Sequence, residues 1–199
     1  MLTSQKVASP RIDPSFEPHA KLEDIAVNYI QACGYSIHAQ TYHETLPQTI
    51  QDLLIKSHSI SALYVRGRAD RLAIGRNRIF EFEIKTHSSK QYSDLSLEVL
   101  PLLIHLQKRR FIDCLYVCRV NSQEFGFWVS RLPKIRTIFI PPVRKNEFVA
   151  SLVEEFAVRN EVTDLNRRSA NGSCDPFVII DKSVVASLCD WRNLVPVDA

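Results

Sequence analysis

The sequence predicts an α/β protein: a mixed β-sheet covered by helices, with an α/β extension at its C-terminal end. Three stretches carry that prediction. Residues Arg78 to Thr86 alternate apolar and charged side chains, which marks a strand. A helical pattern with a glycine stop precedes them, and a nearly continuous apolar run, Phe111 to Val120, follows as an interior strand.

The chain has 199 residues, 45% of them hydrophobic. That is enough for one packed domain with an appended element and too little for two ordinary domains. No run of about 18 apolar residues occurs and the N-terminus lacks the apolar core of a signal peptide, so a soluble, non-exported protein without a membrane partner is expected. The five cysteines are dispersed and form no C-x-x-C pair. Free thiols in a reducing compartment fit them better than a disulfide framework or a zinc site.

Residues 1–17 contain Pro10 and Pro14 and read as a flexible arm. From Pro18, the residues Leu22, Ile25, Ala26, Tyr29 and Ile30 recur at helical spacing, and Gly34 ends the helix. Tyr35 to Tyr42 alternates as a strand; His43 and Glu44 then stand either as outer groups of a site or as solvated loop residues. Leu46 to Ser57 is a helix or a linker with Leu53, Leu54 and Ile55 inward. Tyr64 to Ile74 reads as a strand, and Gly75-Arg76-Asn77 as the hairpin loop leading into Arg78 to Thr86. Thr86 to Gln91 reads as loop. A buried helix is expected from Ser93 or Asp94 through Leu106, bent at Pro101. After Phe111 to Val120 come a turn and a strand, Phe125 to Ser130. In residues 132–199, strands are expected over Ile135 to Ile140 and Phe177 to Ile180, helices over Asn146 to Val158 and Ser183 to Asp190, and an exposed loop over Arg167 to Ser173.

Within Arg78 to Thr86, Phe80, Phe82 and Ile84 share one face while Glu81, Glu83 and Lys85 share the other. The bland reading is a solvated face on an edge strand. The sharper one starts from antiparallel pairing across the hairpin, which brings Asp70 beside Glu83 and Lys85. Two carboxylates suit Mg²⁺, which keeps several waters and an open position for a phosphate oxygen. Lys85 there would orient a water or stabilise developing charge, as phosphodiester cleavage needs. Glu23, in the first turns of the helix, either complements the helix dipole or reaches the same site.

The formal net charge is only +3, yet Lys108 to Lys145 carries nine Lys or Arg against two acids. Arg66, Arg68, Arg71, Arg76 and Arg78 form a second basic group beside the carboxylates. Arg66, Arg68, Arg71, Lys108, Arg109 and Arg110 are therefore candidates for phosphate contact, as are Lys90 and Gln91 from the following loop. Solubilising exposed strands is the competing role.

Glu23 ahead of Gly34-Tyr35, Asp70 in Gly67-Arg68-Ala69-Asp70, and Glu83-Ile84-Lys85 together resemble the PD-(D/E)xK nuclease superfamily, with its restriction enzymes and archaeal-type Holliday junction resolvases. The resemblance spans residues 18–131 and departs from the motif in having Ala69 where many members have proline. It implies a restriction-endonuclease-like fold and a phosphodiesterase using Mg²⁺, with Mn²⁺ as substitute. Asp70, Glu83 and the Ile84 carbonyl would be the metal ligands, Glu23 an auxiliary one, and Lys85 the water-positioning or charge-stabilising group. It also implies a DNA substrate, branched or structured DNA included, a homodimer, and a cytoplasmic or nucleoid-associated setting. The extension, 132–199, is expected to pack on the core or to serve dimerisation or recognition. A catalytically silent nucleic-acid-binding or assembly module, and a nuclease acting on RNA, stand as alternatives.

Overall fold

The structure, a computed structural model, describes residues 16–57, 59–87, 94–135, 137–139, 157, 164–166 and 177–198. The arm through residue 15, Lys90, Gln91, the Arg167 to Ser173 stretch and the Asn146 to Val158 helix apart from Ala157 lie outside these residues. In chain order come α1 (Phe16–Ala32), β1 (Ser36–Ala39), α2 (Tyr42–Thr45), α3 (Gln48–Lys56), α4 (Ile60–Arg66), β2 (Arg71–Ile74) and β3 (Ile79–His87). They are followed by β4 (Leu95–Glu98), α5 (Val99–Lys108), β5 (Cys114–Val120), β6 (Gln123–Trp128), β7 (Thr137–Phe139), β8 (Asp164–Asn166) and β9 (Phe177–Ile180), with a last 3₁₀ turn at Trp191–Leu194.

The main sheet has the order β1-β2-β3-β5-β6. Its pairings are antiparallel except β3 with β5, which run parallel. The fold is thus the mixed sheet flanked by helices that the periodicities predict. β3 is central, and both its faces are covered. Phe80, Phe82 and Ile84 pack with Leu22, Ala26 and Ile30 of α1 and with Trp191. The register partners of Glu81, Glu83 and Lys85 on β5 are Cys114, Tyr116 and Cys118. Those three pack beneath Leu95, Leu97, Val99 and Leu102, on the opposite side of the sheet. Glu81 and Glu83 are consequently only 3% and 5% exposed, so the charged face is no solvated edge.

Five local expectations are corrected. Tyr64, Val65 and Arg66 end a helix instead of opening a strand: Ser59 caps α4 by accepting the Ala62 N–H, and Gly67 closes it. Leu95 to Glu98 is a strand, because it pairs antiparallel with β9, Leu95 opposite Ile180. Pro101 falls in the first turn of α5, where its missing N–H costs nothing, and does not interrupt the helix. On α3, Leu53 and Ile55 face outward at 62% and 49% exposed, because Gln51 supplies the buried contact instead. β3 also runs one residue past the expected strand, through His87, which was expected in a loop.

The described part of residues 132–199 is built onto the rest. β9 joins β4 to β7 in a second sheet of order β4-β9-β7-β8. Gly126 of β6 lets Trp191 lie against the sheet, since a Cβ there would stand 2.6 Å from the Trp191 Cβ. At the far end, Asp198 accepts backbone N–H groups of the β2–β3 loop, from Arg76 and, at 3.0 Å, from Asn77. Its own N–H donates to the Cys33 carbonyl at 2.8 Å. Gly34, with φ of +100°, sits under this clasp. Asp198→Ala is expected to lower stability by about 1.5 kcal/mol, the scale of charged hydrogen bonds. Urea denaturation should show a lower midpoint at unchanged slope.

Candidate functional site

The site forms where β2 begins beside β3. Extending the register of Arg71 with Phe82 by one residue sets Asp70 opposite Glu83. The backbone N–H of Asp70 donates to Glu83 Oε2 at 3.1 Å. The Ile84 N–H donates to Asp70 Oδ2 at 2.7 Å, so a carboxylate takes the place of a strand carbonyl just beyond the end of β2. A β-residue's N–H and C=O point to the same neighbour; the Ile84 carbonyl therefore faces the Asp70 side. Lys85 Nζ lies 2.8 Å from Glu83 Oε1 and 3.5 Å from Glu98 Oε2.

Burial, and then the adjacent Glu83 charge, push the Asp70 carboxyl from its ordinary 3.8 up to about 8. For Lys85, burial acts to lower the ammonium's pKa, but Glu83 and Glu98 outweigh it and raise it. Lys85 is therefore a persistent cation: it can donate hydrogen bonds and stabilise negative charge, but it is not a base near neutrality. The floor of the site holds the Asp70 and Glu83 carboxyls and the Lys85 ammonium, with Glu98 on the ammonium's other side.

Asp70, Glu83 and Lys85 open into a cleft of about 280 Å³, lined also by Arg66 and Arg68. The Arg66 Nε is buried and has no hydrogen-bond partner among the described residues. Other predicted residues stand differently. Arg71 holds Glu23 and Glu44, each at 2.5 Å, so its charge is matched within the chain. Glu23 is thereby fastened on the α1 side of the sheet, in reach of Asp70 by its field and tied directly to Arg71. Lys108 pairs with buried Glu81 at 2.5 Å, whereas Arg109 and Arg110 are exposed just past α5.

Several neighbours were missed by sequence reasoning. His19 is half-buried among Glu23, Lys85, Glu83 and Arg71, and burial lowers its imidazole pKa against the pull of Glu23. Its signal was present: positions 19 and 23 share a helix face. His105 is fully buried with Nδ1 3.0 Å from the Tyr116 hydroxyl; nothing local in the sequence marks it. Glu98 went unseen because Leu95 to Glu98 reads as helix.

Among the described residues, no group of three or more His, Cys, Asp and Glu side chains forms a ready metal cage. Zinc, which needs three or four such ligands, does not fit. Mg²⁺ or Mn²⁺ does fit the donor set: two carboxylates, that of Asp70 raised by burial and by the like charge of Glu83, and a main-chain carbonyl. No described helix is long and apolar enough to cross a membrane.

The sheet and this site define an α/β protein in which Glu83 and Lys85 of the central strand meet Asp70 at the start of the neighbouring one. No protein-family profile and no curated protein matches the chain. Among solved structures it is similar to Hjc, a Holliday junction resolvase of the hyperthermophilic archaeon Archaeoglobus fulgidus. That likeness has a TM-score of 0.45 and 9% sequence identity, over 90% of this chain and 96% of that one.

Proposed function

We propose that the chain is a metal-dependent nuclease that hydrolyses phosphodiester bonds in DNA, branched or structured DNA included. The observation that carries this reading is the floor of the cleft. Asp70, half-buried, and Glu83, buried, are brought together, each accepting a backbone N–H beside the other, at a cost that a proton on Asp70 or a bound cation relieves. Lys85 meets Glu83 and Glu98 and Lys108 meets Glu81, whereas Asp70 is bonded to the Ile84 N–H and carries a raised carboxyl pKa.

Asp70, Glu83 and the Ile84 carbonyl would hold Mg²⁺ or Mn²⁺. A divalent cation there supplies polarisation of a phosphoryl oxygen and activation of the attacking water at neutral pH. Lys85, kept charged by Glu83 and Glu98, orients the water or stabilises charge on the phosphate as the bond breaks. Arg66 and Arg68 on the cleft wall neutralise neighbouring phosphates. Glu23 and Arg71 position the entrance of β2, with Glu23 as an auxiliary to the site. Cutting both strands of a duplex calls for two sites, which a homodimer provides.

Lys85→Met tests the assignment apart from metal binding. Cleavage is expected to fall by about 10²–10³-fold, the scale of one lost charge-stabilising donor. Binding of labelled DNA in Ca²⁺ should change by less than about threefold, since one of several cations is lost. Undiminished cleavage would remove Lys85 from the chemistry.

A further inference from the structure

The cleft has a third kind of lining besides carboxylates and arginines: Tyr42 and His43 of α2. Their rings lie together, with centroids 3.8 Å apart and planes inclined by 37°. Four residues are too few to keep a helical turn in place through its own hydrogen bonds, and α2 is fastened from outside. Buried Gln51 donates from Nε2 to the carbonyls of His43, at 3.1 Å, and Leu46, at 2.9 Å. Both amide protons being used, Oε1 is the group 3.1 Å from His43 Nδ1, so that nitrogen carries the proton and donates. Glu44, next in the turn, is held by Arg71. An exposed histidine ring is thus fixed in orientation by a buried amide, and the segment that carries it is anchored to the strand that begins at the site.

An aromatic pair held rigid beside phosphate-binding arginines suits a nucleobase attached to the phosphate being bound. In an uninterrupted duplex the bases keep their faces within the stack, and only an unpaired base offers one to a side chain. Resting on the nuclease reading of the cleft, we propose that Tyr42 and His43 are a stacking platform for an unpaired nucleobase next to the scissile phosphate. The site then selects strands with a single-stranded segment beside the cut over continuous duplex, and Gln51 is the positioning residue of the platform.

The test uses oligonucleotides carrying 2-aminopurine, as single strands, as flapped duplexes and as continuous duplexes, bound to the full chain in Ca²⁺. Wild type is expected to quench the fluorescence of single-stranded and flapped probes and to leave the continuous duplex unchanged. His43→Ala should lose the quench and bind single strands about tenfold more weakly, the lower range for one lost stacking contact. Gln51→Met should weaken the quench with both rings present. DNA and RNA versions of the probes separate the two sugars. Parallel reactions in Mg²⁺ report cleavage. If continuous duplex is cut as fast as flapped duplex and His43→Ala binds every probe as wild type does, the platform is overturned and the nuclease stands. If probes are quenched but none is cut, the nuclease reading fails instead.

Discussion

Asp70→Asn is expected to abolish cleavage while making the metal-free protein more stable. The asparagine oxygen can still accept the Ile84 N–H, so the local backbone bond survives. What disappears is a half-buried carboxyl raised to about 8 by desolvation and by Glu83. In the metal-free wild type, folded Asp70 keeps a proton between pH 4 and pH 8 that the unfolded chain has released. More protons bound in the folded state means that stability falls as pH rises through this window, by up to about 1.4 kcal/mol per pH unit for one group. The variant lacks this loss, and its melting temperature at pH 8 should exceed that of wild type by several degrees. Added Mn²⁺ should stabilise wild type and not the variant. Cleavage should fall by about 10³-fold or more. Calorimetry at pH 5 and pH 8, with and without Mn²⁺, checks the stability half; a variant less stable than wild type at pH 8 would show that the carboxyl is not under strain.

Trp191→Ala is expected to be the most destabilising single substitution in the C-terminal segment. Trp191 is fully buried against the α1 side of the sheet, with Tyr29 edge-on at 5.2 Å and the Arg192 guanidinium over its ring at 4.5 Å. Its Nε1–H donates to Glu124 Oε2 at 3.2 Å, the carboxylate that also receives Arg192 at 2.8 Å. Truncation leaves a cavity under β6 and costs about 3–5 kcal/mol, a large part of the stability of an ordinary domain. Denaturation should remain one cooperative transition at a lower midpoint, because the segment belongs to the same core as β3 and β5. Two separate transitions, or an unchanged midpoint, would show residues 177–198 to be independent of the core.

The parts of the fold that were legible in the sequence are those set by local period. Phe80, Phe82 and Ile84 alternate, and all three are buried on one face; Leu22, Ala26 and Ile30 recur at helical spacing, and all three line the facing helix. The hairpin length was enough to bring Asp70 opposite Glu83. Beyond that, the outcome turned on distant partners. Leu95 to Glu98 carries apolar residues that continue into α5, and only pairing with Phe177 to Ile180 makes it a strand. Tyr64 and Val65 are strand formers, overruled by the Ser59 cap and by packing of α4 on α5. The charged face of β3 is buried because Lys85 and Lys108 meet its two glutamates, a matching of charges that alternation alone does not reveal. Arg71 illustrates the same limit. Its charge suggested phosphate contact, while its position commits it to Glu23 and Glu44.

The most direct measurement is cleavage of end-labelled duplex, four-way junction, single-stranded DNA and RNA, each with Mg²⁺, with Mn²⁺ and with chelator, by wild type beside Glu83→Gln. A nuclease centred on Asp70 and Glu83 yields products only with metal, and none above background with Glu83→Gln. Cutting by Glu83→Gln at the wild-type rate, or binding without cutting by wild type under every condition, contradicts that centre; the second result describes a binding or assembly module instead.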